Sequence, residues 1–307
     1  MTDETQQKEA AQTSERTSEL DNLLQMARKV LLADSLTALL PADLFSQPAL
    51  YPGPSLATWL LAYAFALYND FAGYTSIVRG VSGMLGIELN VNFRVPYFSR
   101  NFSEFWTRWH ISLSNWLRDY IFFPCSRFLL KRLPQRSHIV HILVPPLLTM
   151  LVSGMWHGLS WNMLLWGGLH GLYLIIERAL SLRGGRKAPA ERSKGRQAVS
   201  ALIIFICVSF AWLPFRMEIG AAGQYVQALF SPANWPLAEY KIYLARALAA
   251  YRYSPETWMP WIFPLLQTAA CLVPALILDW LQYRDELVFL KWRPSVQAAT
   301  LAVLALA

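Results

Sequence analysis

Two histidines offer chemistry. The first, His110, stands in "FWTRWHISLSNWLRDYIFFP" (residues 105–124), where two serines, an asparagine, two arginines and an aspartate crowd between three tryptophans. The second, His157, stands in "SGMWHGLSWN" (153–162), close to glycines on both sides and at the tip of an otherwise apolar hairpin of sequence. A neutral imidazole is the side chain best matched to taking a proton near pH 7. At membrane depth a histidine is rare, and it is a functional hypothesis by default. His170, thirteen residues further on in "GGLHG", lies on one face of a regular helical pattern and reads as a buried histidine hydrogen-bonded to a carbonyl. His138 and His141 border a basic loop and need no special role.

Secondary structure must hold these groups in place. In the first stretch Trp106, Trp109, Leu113, Trp116, Leu117 and Tyr120 recur at i, i+3, i+4 spacing and form one apolar face. Arg108, Ser112, Asn115, Arg118 and Asp119 lie mostly off that face. The same spacing stacks His110 and Ser114 one turn apart. This is an amphipathic helix lying at, or dipping into, a membrane surface. From pattern alone an interfacial anchor is favoured over an active site, because amphipathic helices are common, tryptophans settle at that level and arginines snorkel.

Composition supplies the membrane. The chain has 307 residues, 55% hydrophobic and 15% charged, with thirteen tryptophans; soluble domains carry about 25% charge. So much apolar surface needs lipid as its solvent. The net charge of +7 falls in short loops beside apolar segments, the pattern of cytoplasmic membrane loops, which argues against nucleic acid as a partner. Cys125, Cys207 and Cys271 are far apart and show no metal-binding spacing, so they read as small buried hydrophobes. No metal and no permanently bound cofactor is expected.

Residues 1–22 are polar, with no apolar core of a signal peptide, and read as a disordered tail. Residues 23–40 read as an interfacial helix. Six spans follow, at 55–78, 139–156, 161–180, 198–216, 261–281 and, cut short, 296–307. Asn69 and Asp70 sit inside the first, where an acid must face protein or water. The loops 127–138 and 183–196 are strongly basic and belong on the cytoplasmic side. The two spans between them then form a hairpin whose "MWHGLSW" tip lies deep in, or across, the membrane. The fold class is all-α: a polytopic transmembrane helical protein with re-entrant and amphipathic interfacial helices, in the cytoplasmic (inner) membrane.

"NFRVPYFSRNFSEFWTRWHISLSNWLRDYIFFP" and "SGMWHGLSWNMLLWGGLHGLYLIIER" resemble the membrane-bound O-acyltransferase (MBOAT) family, in its bacterial branch of alginate O-acetylation and teichoic acid D-alanyl transfer proteins. "KVLLADSL" and "YNDFAGYTSIVRGVSGMLGIELNVNF" resemble the preceding segments of that branch, so the likeness runs over residues 24 to 216. It implies an enzyme that moves an acyl group, acetyl in the alginate branch, from a cytoplasmic thioester to a hydroxyl of an extracytoplasmic polysaccharide. The donor would be an acyl-CoA or an acyl carrier protein. The resemblance makes His157, in "WHG", the catalytic histidine and His110, in "RWH", a second active-site position. Ser114, Asn115, Asp70, Trp109 and Trp156 complete the candidate substrate-binding set. The chain departs from the family in two ways. Spans that precede "KVLLAD" elsewhere are replaced by the polar tail, and the chain ends inside a span. The domain 23–307 is therefore expected to be truncated at both ends. The family's "DFSGYSD" reads "DFAGYTS" here, which keeps Asp70 and puts Ser76 where a second acid stands.

Other readings remain open. The chain could relay the acyl group to a partner transferase outside the membrane, or be a non-catalytic fragment. A transporter would show inverted repeats or broken helices in both halves. No repeat is visible, and the polar residues concentrate in 69–170.

Overall fold

The computed structural model describes residues 28–133, 138–183, 193–235, 262–284 and 292–306, and these are helices joined by turns and short extended segments. The polar tail at 1–22 and parts of the basic loops, 134–137 and 184–192, lie outside the described residues. The chain divides into two units, Met1–Val91 with Tyr225–Ala307, and Asn92–Gln224.

In the first unit a π-helical turn, Arg28–Ala33, runs into a short helix α1 (Asp34–Ala38). Helix α2 (Gly53–Met84) is 32 residues long, about 48 Å at ~1.5 Å per residue. It outruns the expected span at both ends. Its C-terminus is closed by a Schellman motif: Ile87 N–H donates to Ser82 O, Gly86 N–H donates to Gly83 O, and Gly86 takes φ +74°. Asp70, the acid in the middle of α2, is met by Lys29 of the π turn at 3.0 Å. The C-terminal helices α10 (Ile262–Arg284) and α11 (Pro294–Leu306) complete this unit. Cys271, Leu272 and Ala275 of α10 are buried. The Tyr225 hydroxyl, on helix α9 (Ile219–Phe230), donates to Leu56 O at 2.6 Å.

The second unit holds both histidines of interest. Short helices α3 (Phe102–Arg108) and α4 (Ile111–Leu117) lead through a π-helical stretch, Arg118–Phe122, into α5 (Phe123–Arg132). Three long helices follow: α6 (His138–His157), α7 (Trp161–Arg183) and α8 (Lys194–Arg216). Helices α6 and α7 form a tight hairpin because glycines let their backbones touch. A Cβ on Gly154 would lie 2.3 Å from Met163 O, and one on Gly167 would lie 2.3 Å from Met150 O. Small residues bring membrane helices together in this way. Pro145 and Pro146 remain inside α6, and the buried Thr149 hydroxyl donates to Pro145 O at 2.6 Å. Tyr173 ties α7 to α8 by donating to Cys207 O at 3.1 Å.

Two described helices are both long and apolar enough to cross a membrane, Val140–His157 and Lys194–Arg216. They coincide with the second and fourth of the six expected spans. The first and third are helices of 32 and 23 residues whose polar and small residues dilute their hydropathy; the fifth is a helix of 23 residues, and the sixth reaches 13. The all-helical class stands for the described residues.

Candidate active site

The expected continuous helix over 105–120 is broken. Helix α3 ends at Arg108, Trp109 is extended, and His110 takes the left-handed conformation, φ 43° and ψ 56°, before α4 begins. For a residue other than glycine this conformation costs roughly 1–3 kcal/mol. The surroundings offset the cost. The chain at Asn92 and Arg94, just before a left-handed Val95 at φ 46°, runs past the break and takes up the freed backbone groups. Arg94 N–H donates to Arg108 O and Ile111 N–H donates to Asn92 O, both at 3.0 Å. Ser112 N–H donates to the Asn92 side-chain oxygen at 2.9 Å, so Asn92 caps α4 from twenty residues away. Arg108 returns a guanidinium bond to Arg94 O at 3.0 Å. At about 1 kcal/mol per bond, these four outweigh the strain. His110 and Ser114 are accordingly not stacked side chains of one helix. Ser114 N–H still donates to His110 O, but the Ser114 hydroxyl turns back to Trp109 O at 3.0 Å.

The other end of α3 is held as firmly. Asn101 accepts from Glu104 N–H at 2.7 Å, and Glu177 of α7 accepts from the N–H groups of Phe102 and Ser103 and from the Ser103 hydroxyl. A carboxylate at a helix N-terminus satisfies free donors and matches the helix dipole. His110 is thus fixed by Glu177 before it and Asn92 beside it.

His157 occupies the last position of α6. Its ring meets Trp156 at 4.8 Å, Trp166 at 5.1 Å and Phe215 at 5.1 Å, each edge to face. It is nonetheless half-exposed. The turn that follows puts Leu159 and Trp161 in the open, 90% and 79% exposed. The His110 ring, also half-exposed, meets Trp156 at 5.9 Å from the other chain segment. The two histidines therefore share one tryptophan. Burial holds the His110 imidazole below its ordinary pKa, so the ring is neutral at pH 7.

His170 is different. It is fully buried, enclosed by Trp106 and Trp166 at 5.0 Å and by Phe105, Tyr173 and Trp212 at 5.8–6.2 Å. The expectation of burial holds. The expected carbonyl partner does not: neither ring nitrogen finds a hydrogen bond among the described residues.

The other sequence candidates scatter. Trp109 is buried in an aromatic core with Phe93, Phe105 and Trp212. Trp156 bridges the two histidines. Ser114 and Asn115 line a cavity of about 270 Å³ together with Trp106, Arg118, Thr149, Met150 and Arg178. Its walls come mostly from α3, α4 and the π-helical stretch, closed by Pro146, Thr149 and Met150 of mid-α6 and by Leu174 and Arg178 of the last half of α7. Asp70 belongs to the first unit and is engaged by Lys29. Asn92, Glu177, Trp166 and Phe215 were not read from the sequence as site residues. Glu177 alone carried a signal, an acid on an otherwise apolar helix; the other three act through contacts far apart in the chain. Among the described residues no cluster of histidine, cysteine or acidic side chains could hold a metal ion.

The site is thus a helical hairpin with His157 at the end of its first helix, and His110, from the break between α3 and α4, in contact with the neighbouring Trp156. The chain belongs to the membrane-bound O-acyltransferase family, whose model matches residues 31–215. It is 36% identical over 215 residues to the Pseudomonas aeruginosa protein named "Probable alginate O-acetylase AlgI", covering 69% of this chain and 38% of that one. It is 35% identical to the peptidoglycan O-acetyltransferase of Helicobacter pylori over 53% of this chain and 29% of the relative. It is 31% identical to the teichoic acid D-alanyltransferase of Streptococcus thermophilus over 64% of this chain and 52% of the relative. The chain spans about two fifths of the length of the AlgI relatives it matches.

Proposed function

We propose that this chain is the catalytic portion of a multi-pass O-acyltransferase of the cytoplasmic membrane. It would move an acetyl group from a cytoplasmic thioester, on coenzyme A or a carrier protein, to a hydroxyl of an extracytoplasmic polysaccharide. The observation that carries the reading is that His110 and His157, both half-buried, contact the same Trp156, with His157 at the end of the first helix of the hairpin.

The reaction follows from that placement. His157, neutral, accepts the proton of the acceptor hydroxyl. The freed oxygen attacks the thioester carbonyl carbon and forms the new C–O bond. The C–S bond then breaks, and the departing sulfur takes the proton from the imidazolium, which leaves an ester, a thiol and a neutral histidine. His110 orients or polarises the acyl carbonyl, and Ser114 and Asn115 stand along the donor's route. The basic character of the loops at 127–138 and 183–196 supports a cytoplasmic position for the loop end of the hairpin. Donor and acceptor can then meet at His157 from opposite phases.

Vesicles test this. The protein is reconstituted with labelled acetyl thioester sealed inside and polysaccharide outside. Labelled polymer with no partner protein present is expected. Labelled protein or released acetate without labelled polymer would point instead to a relay, and no transfer in either form would reject the reading.

A further inference from the structure

Three aromatic rings in the second unit carry polar atoms that the mechanism above leaves unused. Trp106, Trp166 and His170 are in mutual contact, at 5.0 Å for each tryptophan to the histidine and 6.1 Å between the tryptophans. The indole nitrogens of both tryptophans and both nitrogens of His170 are buried and have no hydrogen-bond partner among the described residues. Roughly nine in ten buried polar groups in proteins are paired. An indole N–H can only donate, and a neutral imidazole has one N–H to give. The cluster therefore presents up to three donors and one acceptor in an otherwise apolar shell. That chemistry suits a small, uncharged, acceptor-rich group; a cation would be refused by the donors, and a full anion would find no positive charge.

The position of the cluster says which group. Trp106 is also a wall of the cavity of about 270 Å³. Trp166 touches His157 at 5.1 Å on the far side. The rings thus form a chain of contacts from the cavity wall at Trp106 to the histidine base at Trp166, with His170 touching both tryptophans. We propose that Trp106, Trp166 and His170 form the site that holds the carbonyl oxygen of the incoming acyl thioester. This inference rests on the acyl-transfer reading. The hydrogen bonds strengthen as the carbonyl oxygen gains negative charge at the tetrahedral stage, in a site from which water is excluded. His170 then has a function despite being unreachable from solvent: it is a binding residue for the acyl oxygen and takes no proton from the acceptor.

Two ligands that differ only in the carbonyl test it: S-acetylpantetheine, the portion common to coenzyme A and carrier proteins, and S-ethylpantetheine, in which CH₂ replaces C=O. Their affinities are measured on the full chain in nanodiscs. The wild type is expected to prefer the thioester by about tenfold, the worth of one or two hydrogen bonds. Trp166→Phe keeps an aromatic ring, though a smaller one, and removes the N–H, and should lower the preference to about twofold with little change in the thioether affinity. Trp106→Phe, at the less buried cavity wall, should do the same and covers the case in which Trp166→Phe fails to fold. His170→Gln, which restores a donor, should retain more of the preference than His170→Phe. Acetyl transfer by each Phe variant should fall on the order of 10²-fold in kcat. A preference that survives Trp106→Phe and His170→Phe would overturn the assignment, as would equal wild-type affinity for the two compounds. A wild type that binds neither would overturn the acyl-transfer reading with it.

Discussion

The tip and the shaft of the α6/α7 hairpin each carry a histidine near glycines, and the two have opposite fates. His157 closes α6, where the backbone turns away and, among the described residues, three rings reach it, Trp156, Trp166 and Phe215. His170 lies thirteen residues on, mid-helix, where α3, α7 and α8 all contribute rings and seal it completely. The glycines do the same work at both places. Gly154 and Gly167 let the two helices close on each other, and neither opens a path to a ligand. Position relative to a helix end, more than local sequence, separates a reachable base from an enclosed binding group.

The comparison can be broken at its base first. His157→Ala should lower acyl transfer about 10³-fold, within the range for general-base removal, with a thermal midpoint within a few degrees of wild type. Unfolding of this variant would mean that His157 serves packing. Next is the hairpin itself. Gly167→Leu forces a side chain onto Met150 O and should cost about 3 kcal/mol, read as a lost or broadened peak in size-exclusion chromatography. Asn92→Ala should cost about 1 kcal/mol by uncapping α4 and should lower kcat with little change in KM, because His110 loses its clamp; Asn92→Asp should restore both.

The smallest expected effect is in pH. Folding holds the His110 imidazole below its ordinary pKa, through burial. The unfolded chain therefore binds that proton more readily, and its contribution to stability is complete above about pH 6.5 and declines as the pH falls below that. The drop in thermal midpoint between pH 7 and pH 5 should be smaller in His110→Asn than in wild type. Activity that needs neutral His110 should persist below pH 6.5 and fail only at lower pH.

Much of this architecture was legible. Apolar runs gave the long helices of both units, and the likeness of two motifs gave the histidine pair. The break at His110 was not legible, because its backbone partners sit on Asn92 and Arg94, and periodicity within 105–120 carries no trace of them. The rings around His170 come from three helices, so its missing carbonyl partner could not be anticipated from one helical face. Asp70 looked like an isolated acid in a span, and its partner Lys29 lies in a segment read as interfacial.

The claim on which the account turns is that His157 is the imidazole reached by reactants. Carbethoxylation of all five histidines, followed residue by residue by mass spectrometry alongside acetyl transfer, tests it directly. The account predicts that activity is lost in step with His157, that S-acetylpantetheine slows that modification, and that His170 stays unmodified in the folded protein. Modification of His170 at the rate of His157, or inactivation that follows another histidine while His157 is already modified, would contradict it.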